Sequence, residues 1–418
     1  MRLEAERASQ AKSKLVQKCK KIRIYPDTAQ KTVLRRWFGG ARALYNLAIE
    51  YLQYPGTKAC WMGIKTDLIY AAPVWCEDVP YQIKSLAIKD ACIAMKNAKV
   101  KAKATGLPQR LSFRPKRDKR DSIFIPKAAV KQNSVYVDLL GKDLHPAESI
   151  PEEVRYDCRL IKQDDRYFLI VPVDEEIKAT PRRHGAVALD PGMRTFQSFY
   201  SPEVAGKFGA RDFGRIFRLC SHMDMLLSKA SKAKHAVRRR LRRAAMRMRR
   251  QIRDLIAEIH WKAARWLCLN FETIYLPTFE TQQMVTGKEL HSKVARMMLT
   301  WSHFLFKQRI KHKANELGAV VKDVNEAYTS KTCSSCGKIH ENMRSKKWMR
   351  CECLPLLENE PAKPAKRPKN PKREKLCRDF NGARGIFIKS TLCEIPPAAH
   401  VRRCIPGQTA LTAVGGVC

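Results

Sequence analysis

VALDPGMRTFQSFYS (residues 187–201) reads as a strand that ends on Asp190, a Pro-Gly turn and a second strand. Downstream, apolar spacing predicts a long helical region over 213–269, the strand TIYLP (273–277), a helix over 294–317 and the strand AVVKDV (319–324). The buried face of the 294–317 helix is expected to be Met297, Met298, Trp301, Phe304, Leu305 and Ile310. A last helix, FNGARGIFIKS, follows Asp379. Strands alternating with helices imply an α/β layer with a mixed sheet. In such folds reacting groups gather at strand ends.

The first half of the chain has a different character. KKIRIYPDTAQ (20–30) alternates apolar and basic residues until Pro26 breaks it, which reads as a strand. Leu34, Trp37, Phe38, Ala41, Leu44, Tyr45, Ala48 and Leu52 recur at helical spacing. A second helix is expected over 82–105, stopped by Gly106 and Pro108, with Lys84, Lys89, Lys96, Lys99, Lys101 and Lys103 on its polar face. Residues 122–175 read as all-β: SIFIPKAAV, SVYVDLL and the hairpin RLIKQDDRYFLIVPV, which turns at Asp164–Asp165.

With 418 residues, the chain is long enough for two to four domains, and 44% hydrophobic residues argue for a folded protein. Its formal net charge of +41 selects a polyanionic partner, and the phosphate backbone is the usual one. No run of membrane-spanning length and no signal peptide is evident, so no membrane partner is expected and most of the 15 cysteines should be reduced thiols. Cys60, Cys76, Cys92, Cys158, Cys220 and Cys268 read as small, half-buried apolar side chains. Residues 229–250 hold eleven Lys and Arg and no acid. Such a block is often merely solvated, but Leu241, Met246, Met248, Ile252, Leu255 and Ile256 give it an apolar stripe, hence a helix with one basic face. FRPKRDKR (113–120) extends the lysine face before it.

Asp190 closes its strand, Asp379 opens the last helix, and VNEAYTSKTCSSCG (324–337) couples Glu326 to a cysteine pair. Singly, Asp379 could merely cap a helix and Asp190 could merely form an Asp-Pro-Gly turn. Together, in so basic a chain, carboxylates from separate elements suggest metal-dependent phosphodiester hydrolysis. Mg²⁺ takes oxygen ligands and keeps several waters, so a few carboxylates can hold two ions with room for a phosphate. Cys333-x-x-Cys336 followed by Cys351-x-Cys353 resembles a structural zinc ribbon, with Cys377 as an alternative to one member of the tighter second pair.

DPGMRTF, TSKTCSSCG and RDFNGARG resemble the split RuvC nuclease and zinc-ribbon motifs of TnpB proteins, and look closer still to their eukaryotic and viral relatives called Fanzor. KIRIYPDTAQKTVLRRWFGGARALYNLAIE is similar to that family's opening segment, and the resemblance covers residues 18–392. It implies an RNA-guided, transposon-associated DNA endonuclease, in which protein reads a short flanking motif and base pairing reads the target. The implied architecture is α/β and β multidomain. A wedge β-barrel (18–30 and 122–180) is interrupted by a helical recognition domain (31–121). An RNase H-like RuvC domain (183–327 and 377–392) holds an inserted zinc ribbon with a flexible insertion (328–376), and 393–418 is a loose tail. The implied partners are an omega-type guide RNA and double-stranded target DNA, with one protein chain per ribonucleoprotein and a nuclear location. The implied cofactors are two Mg²⁺ on Asp190, Glu326 and Asp379, and Zn²⁺ on Cys333, Cys336, Cys351 and Cys353.

This chain departs from the TnpB pattern where the second acid is expected. TIYLP ends on Leu276 and Pro277 with no carboxylate. Glu272 lies five residues before Pro277, about 16 Å back along an extended strand, and Glu280 lies three beyond, on an expected loop. Fanzor-like members look as if the glutamate has moved to the NEAYTSKTC position, so Glu326 is assigned as the second acid, with Glu280 and then Glu272 as alternatives. The insertion after Cys353 and Gly385 in place of the family's usual Asn are further departures. His260 and Trp261 recur in the family and read as core packing. The rival readings are a catalytically inactive zinc-ribbon regulator that binds nucleic acid, and a guide-independent nuclease or transposase subunit.

Overall fold

The computed structural model describes residues 15–116, 120–131, 133–177, 181–279, 285, 292–340, 347–354 and 375–394. They belong to two compact units, Met1–Glu176 and Ile177–Cys418. Residues 355–374 of the insertion expected over 354–375, residues 395–418 of the tail expected from 393, and the alternative acid Glu280 lie outside the described residues, and Cys393 and Glu394 are still helical.

In the first unit, β1 (Leu15–Ile24) pairs antiparallel with β6 (Arg166–Glu176). Pro26 ends the strand, and Asp27 caps α1 (Thr28–Gln53). The Asp27 carboxylate accepts from the Gln30 N–H at 2.8 Å while the Gln30 side chain accepts from the Asp27 N–H at 2.9 Å, a reciprocal capping box. The expected face from Leu34 to Leu52 is buried. α2 (Trp61–Tyr70) and α3 (Tyr81–Thr105) follow, and α3 stops at Gly106, whose φ of +68° suits a residue without Cβ. β2 (Arg120–Ile125), β5 (Cys158–Gln163) and β6 complete a four-stranded sheet in the order β1-β6-β5-β2.

Two expectations change here. The barrel is an open sheet: β1 and β2 are its edges, no described ladder joins them, and α1 and α3 pack against it instead. SVYVDLL is not one strand. Only β4 (Ser134–Val135) pairs, with β3 (Val130–Lys131). Tyr136 then adopts φ +49°, its N–H closing on the Ala129 carbonyl at 2.7 Å, and Val137–Leu140 (α4) makes one helical turn. Lys127–Ala129 is likewise a 3-10 turn rather than strand.

The second unit is built on a mixed sheet of order β11-β10-β7-β8-β9. β7 (His184–Pro191), β10 (Phe271–Pro277) and β11 (Val320–Val324) run parallel. β8 (Gln197–Tyr200) and β9 (Ala205–Phe208) continue antiparallel from β7. The long helical region is two helices, α5 (Asp212–Lys232) and α6 (His235–Asn270), separated by extended Ala233 and Lys234. The 294–317 helix also divides, into α7 (Ser292–Trp301) and α8 (His303–Leu317).

Ser302, at φ +52°, interrupts the helical phase. Phe304 and Leu305, expected inside, are therefore 68% and 44% exposed, and His303, Phe306, Ile310 and Ala314 face the core. Phe196 anchors that core, stacked between the imidazoles of His260 and His303 at 4.7 and 5.4 Å. Trp301 packs beside it and donates its indole N–H to the Met193 carbonyl at 2.7 Å. His260 is therefore core. Trp261 is not: its ring is exposed, beside Arg309 and Lys313. Of the cysteines read as apolar filler, Cys60 is exposed and the other five are buried. α9 (Arg378–Glu394) packs across β7, β8 and β10.

Candidate active site and cysteine cluster

Register explains where the acids stand. Tyr275 of β10 pairs with Ala188 of β7, so the next steps of the ladder bring Pro277 level with Asp190. Pro277 in turn pairs with Val324, the last residue of β11. Glu326 is two residues past that strand end, and Asp379 is in the first turn of α9. A Cβ on Gly382 would collide with an Asp190 carboxylate oxygen and lie 3.1 Å from its Cγ, so the helix backbone is pressed against Asp190.

The three acids share one electrostatic neighbourhood. Burial first, then the charges of Glu326 and Asp379, raise the Asp190 pKa well above the usual carboxylate range, and Arg378 partly opposes them. Burial lifts Glu326 to about 6. Lys207 of β9 reaches into the same place. Its Nζ lies 3.5 Å from Asp379 Oδ2, 3.2 Å from Cys377 Sγ and 4.8 Å from the centre of the Phe380 ring. Burial disfavours its ammonium, but the Cys377 sulfur and the Asp379 carboxylate outweigh burial and raise its pKa. Glu272 is exposed at the opposite end of β10, next to the Phe271–His184 pair, and does not join the group.

Burial raises the proton affinity of Asp190 and Glu326, which a hard divalent cation would relieve, and an all-oxygen donor set suits Mg²⁺ or Mn²⁺ rather than zinc. Among the described residues only the four cysteines bring their ligand atoms within 4.8 Å of one another. The fit is one of chemistry: Asp190, Glu326 and Asp379 would be the holding residues.

The four sulfurs of Cys333, Cys336, Cys351 and Cys353 all lie within 4.8 Å of one another. The pairs Cys333–Cys353 and Cys336–Cys351 are 3.6 and 3.5 Å apart, close to the edge of a tetrahedron with metal–sulfur bonds of about 2.3 Å. Gly337, at φ +76°, makes the knuckle: its N–H donates to the Cys333 carbonyl at 2.9 Å. Although burial opposes it, backbone N–H groups of Ser335 and Cys336 help lower the Cys333 pKa to about 7, which favours the metal-binding thiolate. The cluster is consistent with a zinc ribbon. Cys377 stands outside it, against Lys207, in β13 (Leu376–Cys377), which pairs antiparallel with β12 (Trp348–Met349).

The sequence reading missed three residues of this region. Lys207, an isolated lysine in AGKF, gives no signal. Gly382 and Asn381 lie inside RDFNGARG, where Asn-Gly in a helix start is a poor helix former and therefore a usable clue. The expected basic faces are present. Trp61 lies between Lys65 and Lys89, at 5.2 and 4.9 Å. His235, Arg238, Arg239, Arg242 and Arg243 line a groove on α6. No described helix is long and apolar enough to cross a membrane.

Comparison with known proteins follows the same division of the chain. Residues 303–357 match the family described as Cas12f1-like, TNB domain. Residues 16–54, here β1 and α1, match a family described as a helix-turn-helix domain. A protein of Paramecium bursaria Chlorella virus 1, provisionally named a transposase, is 26% identical over 82% of this chain and 84% of its own. A TnpB-like protein of Acanthamoeba polyphaga mimivirus is 24% identical over 83% of this chain and 71% of its own. A Streptomyces pristinaespiralis protein, provisionally named an RNA-guided DNA endonuclease, is 21% identical over 81% of this chain and 85% of its own. Among solved structures, a Cas12f1–sgRNA–target DNA complex aligns with a TM-score of 0.45 at 13% identity, over 89% of this chain and 98% of that one. The chain is similar to TnpB-like proteins over about four-fifths of its length.

Proposed function

We propose that the protein is an RNA-guided DNA endonuclease of Fanzor type, cutting through an RNase H-like, RuvC-type site made of Asp190, Glu326 and Asp379. The observation that carries the reading is that the start of α9, which bears Asp379, is pressed against Asp190 at the end of β7, while Glu326 follows β11, two strands away in the same sheet, and the charges of Glu326 and Asp379 both raise the Asp190 pKa. The names of the relatives support it, since a transposase and an RNA-guided endonuclease both act on phosphodiesters.

On this reading β7, β11 and α9 hold the three carboxylates, and Gly382 leaves Asp190 the room it needs. Two bound Mg²⁺ would supply the hydroxide nucleophile and neutralise the charge that builds on the phosphate. Lys207 keeps a positive charge beside Asp379. The basic faces of α3 and α6 contact nucleic-acid backbone, and zinc on Cys333, Cys336, Cys351 and Cys353 is structural. The segments 18–30 with 122–180, 31–121, 183–327 with 377–392, and 328–376 are the working domains. One chain acts with one omega-type RNA, and the location is nuclear.

The test is to purify the full chain from cells that express its neighbouring non-coding RNA, sequence the RNA that co-purifies, and measure cleavage of matched DNA. Glu326→Gln and Asp190→Ala should each lower the rate by at least about a hundredfold. Full activity in Glu326→Gln refutes the second acid, and full activity in Asp190→Ala refutes the site. Cleavage without any bound RNA would favour a guide-independent nuclease.

A further inference from the structure

We propose that Asn381 and the strap of residues 326–334 make the cysteine knuckle a positioning device for Glu326, so that the four-thiolate site governs how tightly the carboxylates hold a divalent cation. The proposal rests on the functional reading above.

Asn381 is completely buried. Its Oδ1 accepts from the Ser334 N–H at 2.8 Å, and its Nδ2 donates to the Thr332 carbonyl at 2.7 Å. Those backbone groups flank Cys333, the first thiolate of the cluster. Asparagine is disfavoured inside a helix, so its value here is the pairing of one donor and one acceptor. An aliphatic side chain would take away both partners, leaving a half-buried N–H and a half-buried carbonyl without these bonds. Two residues earlier the same helix presents Asp379, and one residue later Gly382 meets Asp190. A single turn of α9 thus touches both aspartates and the knuckle.

The strap between knuckle and glutamate is fastened along its length. The Thr329 N–H and hydroxyl donate to the Glu326 carbonyl at 3.2 and 2.8 Å. Thr329 rests on Gly385, where a Cβ would come within 3.3 Å of its carbonyl oxygen. Lys389 Nζ donates to the Ala327 carbonyl at 3.4 Å. Tyr328 holds φ +68°, a conformation that persists in a bulky residue only where the surroundings enforce it. Its carbonyl accepts from the N–H groups of Lys331 and Thr332, both at 3.0 Å. The placement of Glu326 is therefore set from the knuckle side, through Asn381, and not from β11 alone.

The experiment titrates the full-length chain with Mn²⁺ by electron paramagnetic resonance, with zinc content measured by mass spectrometry. Asn381→Ala should keep its zinc and bind Mn²⁺ about 10- to 100-fold more weakly. Asn381→Asp keeps the acceptor, loses the donor and should fall between. Zinc-stripped wild type, freed of chelator, should lose the same factor, while stripping Asn381→Ala should add little. If Asn381→Ala does not fold, Thr329→Val removes the hydroxyl that holds Glu326 and should weaken Mn²⁺ with zinc retained. Wild-type Mn²⁺ affinity in the foldable variants and in the stripped protein overturns the strap. Wild type that binds no Mn²⁺, or binding unchanged by Asp190→Ala, overturns the carboxylate site itself, and the strap with it.

Discussion

Gly382→Ala adds one methyl group and removes no charge, yet it should disable the carboxylate site. The new Cβ would stand 3.1 Å from Asp190 Cγ and closer still to a carboxylate oxygen, while ordinary carbon–carbon contact begins near 3.5 Å. Asp190 belongs to the middle of a five-stranded sheet and α9 is packed on that sheet, so neither backbone yields freely. Relief requires moving the carboxylate by about half an ångström to one ångström, and a misplacement of about 1 Å can cost about a hundredfold in rate. Overpacking costs about 1–3 kcal/mol of stability, a loss the fold should survive. Calorimetry, Mn²⁺ titration and guided cleavage would be measured together. The expected result is a melting point a few degrees lower, Mn²⁺ affinity reduced at least about tenfold and cleavage reduced about a hundredfold. A folded Gly382→Ala protein with wild-type metal affinity and rate would refute the close approach of α9 to Asp190.

Acidification should expose the buried imidazoles. Burial holds His260 at about 3, with help from Arg309, and His303 at about 4, below the unfolded value near 6.5. The unfolded chain then binds protons that the folded chain refuses, so stability is full above pH 6.5 and falls by about 2 kcal/mol per histidine by pH 5. Asp190 and Glu326, with raised values, have the opposite sign, so urea midpoints should be followed in an Asp190→Asn, Glu326→Gln variant; a flat midpoint between pH 7 and 5 contradicts the prediction. Lys207→Met removes a cation beside Asp379 and should tighten Mn²⁺ about five- to tenfold, from roughly 1 kcal/mol of repulsion relieved; unchanged or weaker binding counts against its role. Cys353→Ser should lose zinc by mass spectrometry and Cys377→Ser should not, because only the former sits in the four-sulfur cluster; the reverse result would redraw the ligand set.

Much of the fold could be read from residue pattern alone, because the strongest signals are local. The Asp190 strand, the hairpin at Asp164–Asp165 and the capped helix after Asp27 each carry periodicity and a turn or cap in adjacent residues. Failures came where one residue in a left-handed conformation reset a period. Ser302 turned Phe304 and Leu305 outward, and Tyr136 ended a strand after two residues. Neither serine nor tyrosine announces that backbone state as glycine does. At the candidate site, motifs and the proline at 277 single out Asp190, Asp379 and Glu326 as candidates, but their mutual placement depends on strand register. Lys207 could not be named, since its importance comes from an edge strand meeting Cys377, 170 residues later, and the helix that follows it.

The pairing of Pro277 with Val324 puts the ends of β10 and β11 side by side. Neighbouring strands are about 4.8 Å apart, roughly the reach of a glutamate side chain. A carboxylate supplied from either strand end could therefore reach one centre. If Glu326 serves the centre as proposed, the end of β10 is relieved of that duty, and position 277 can hold a proline, which closes the strand and offers no metal ligand.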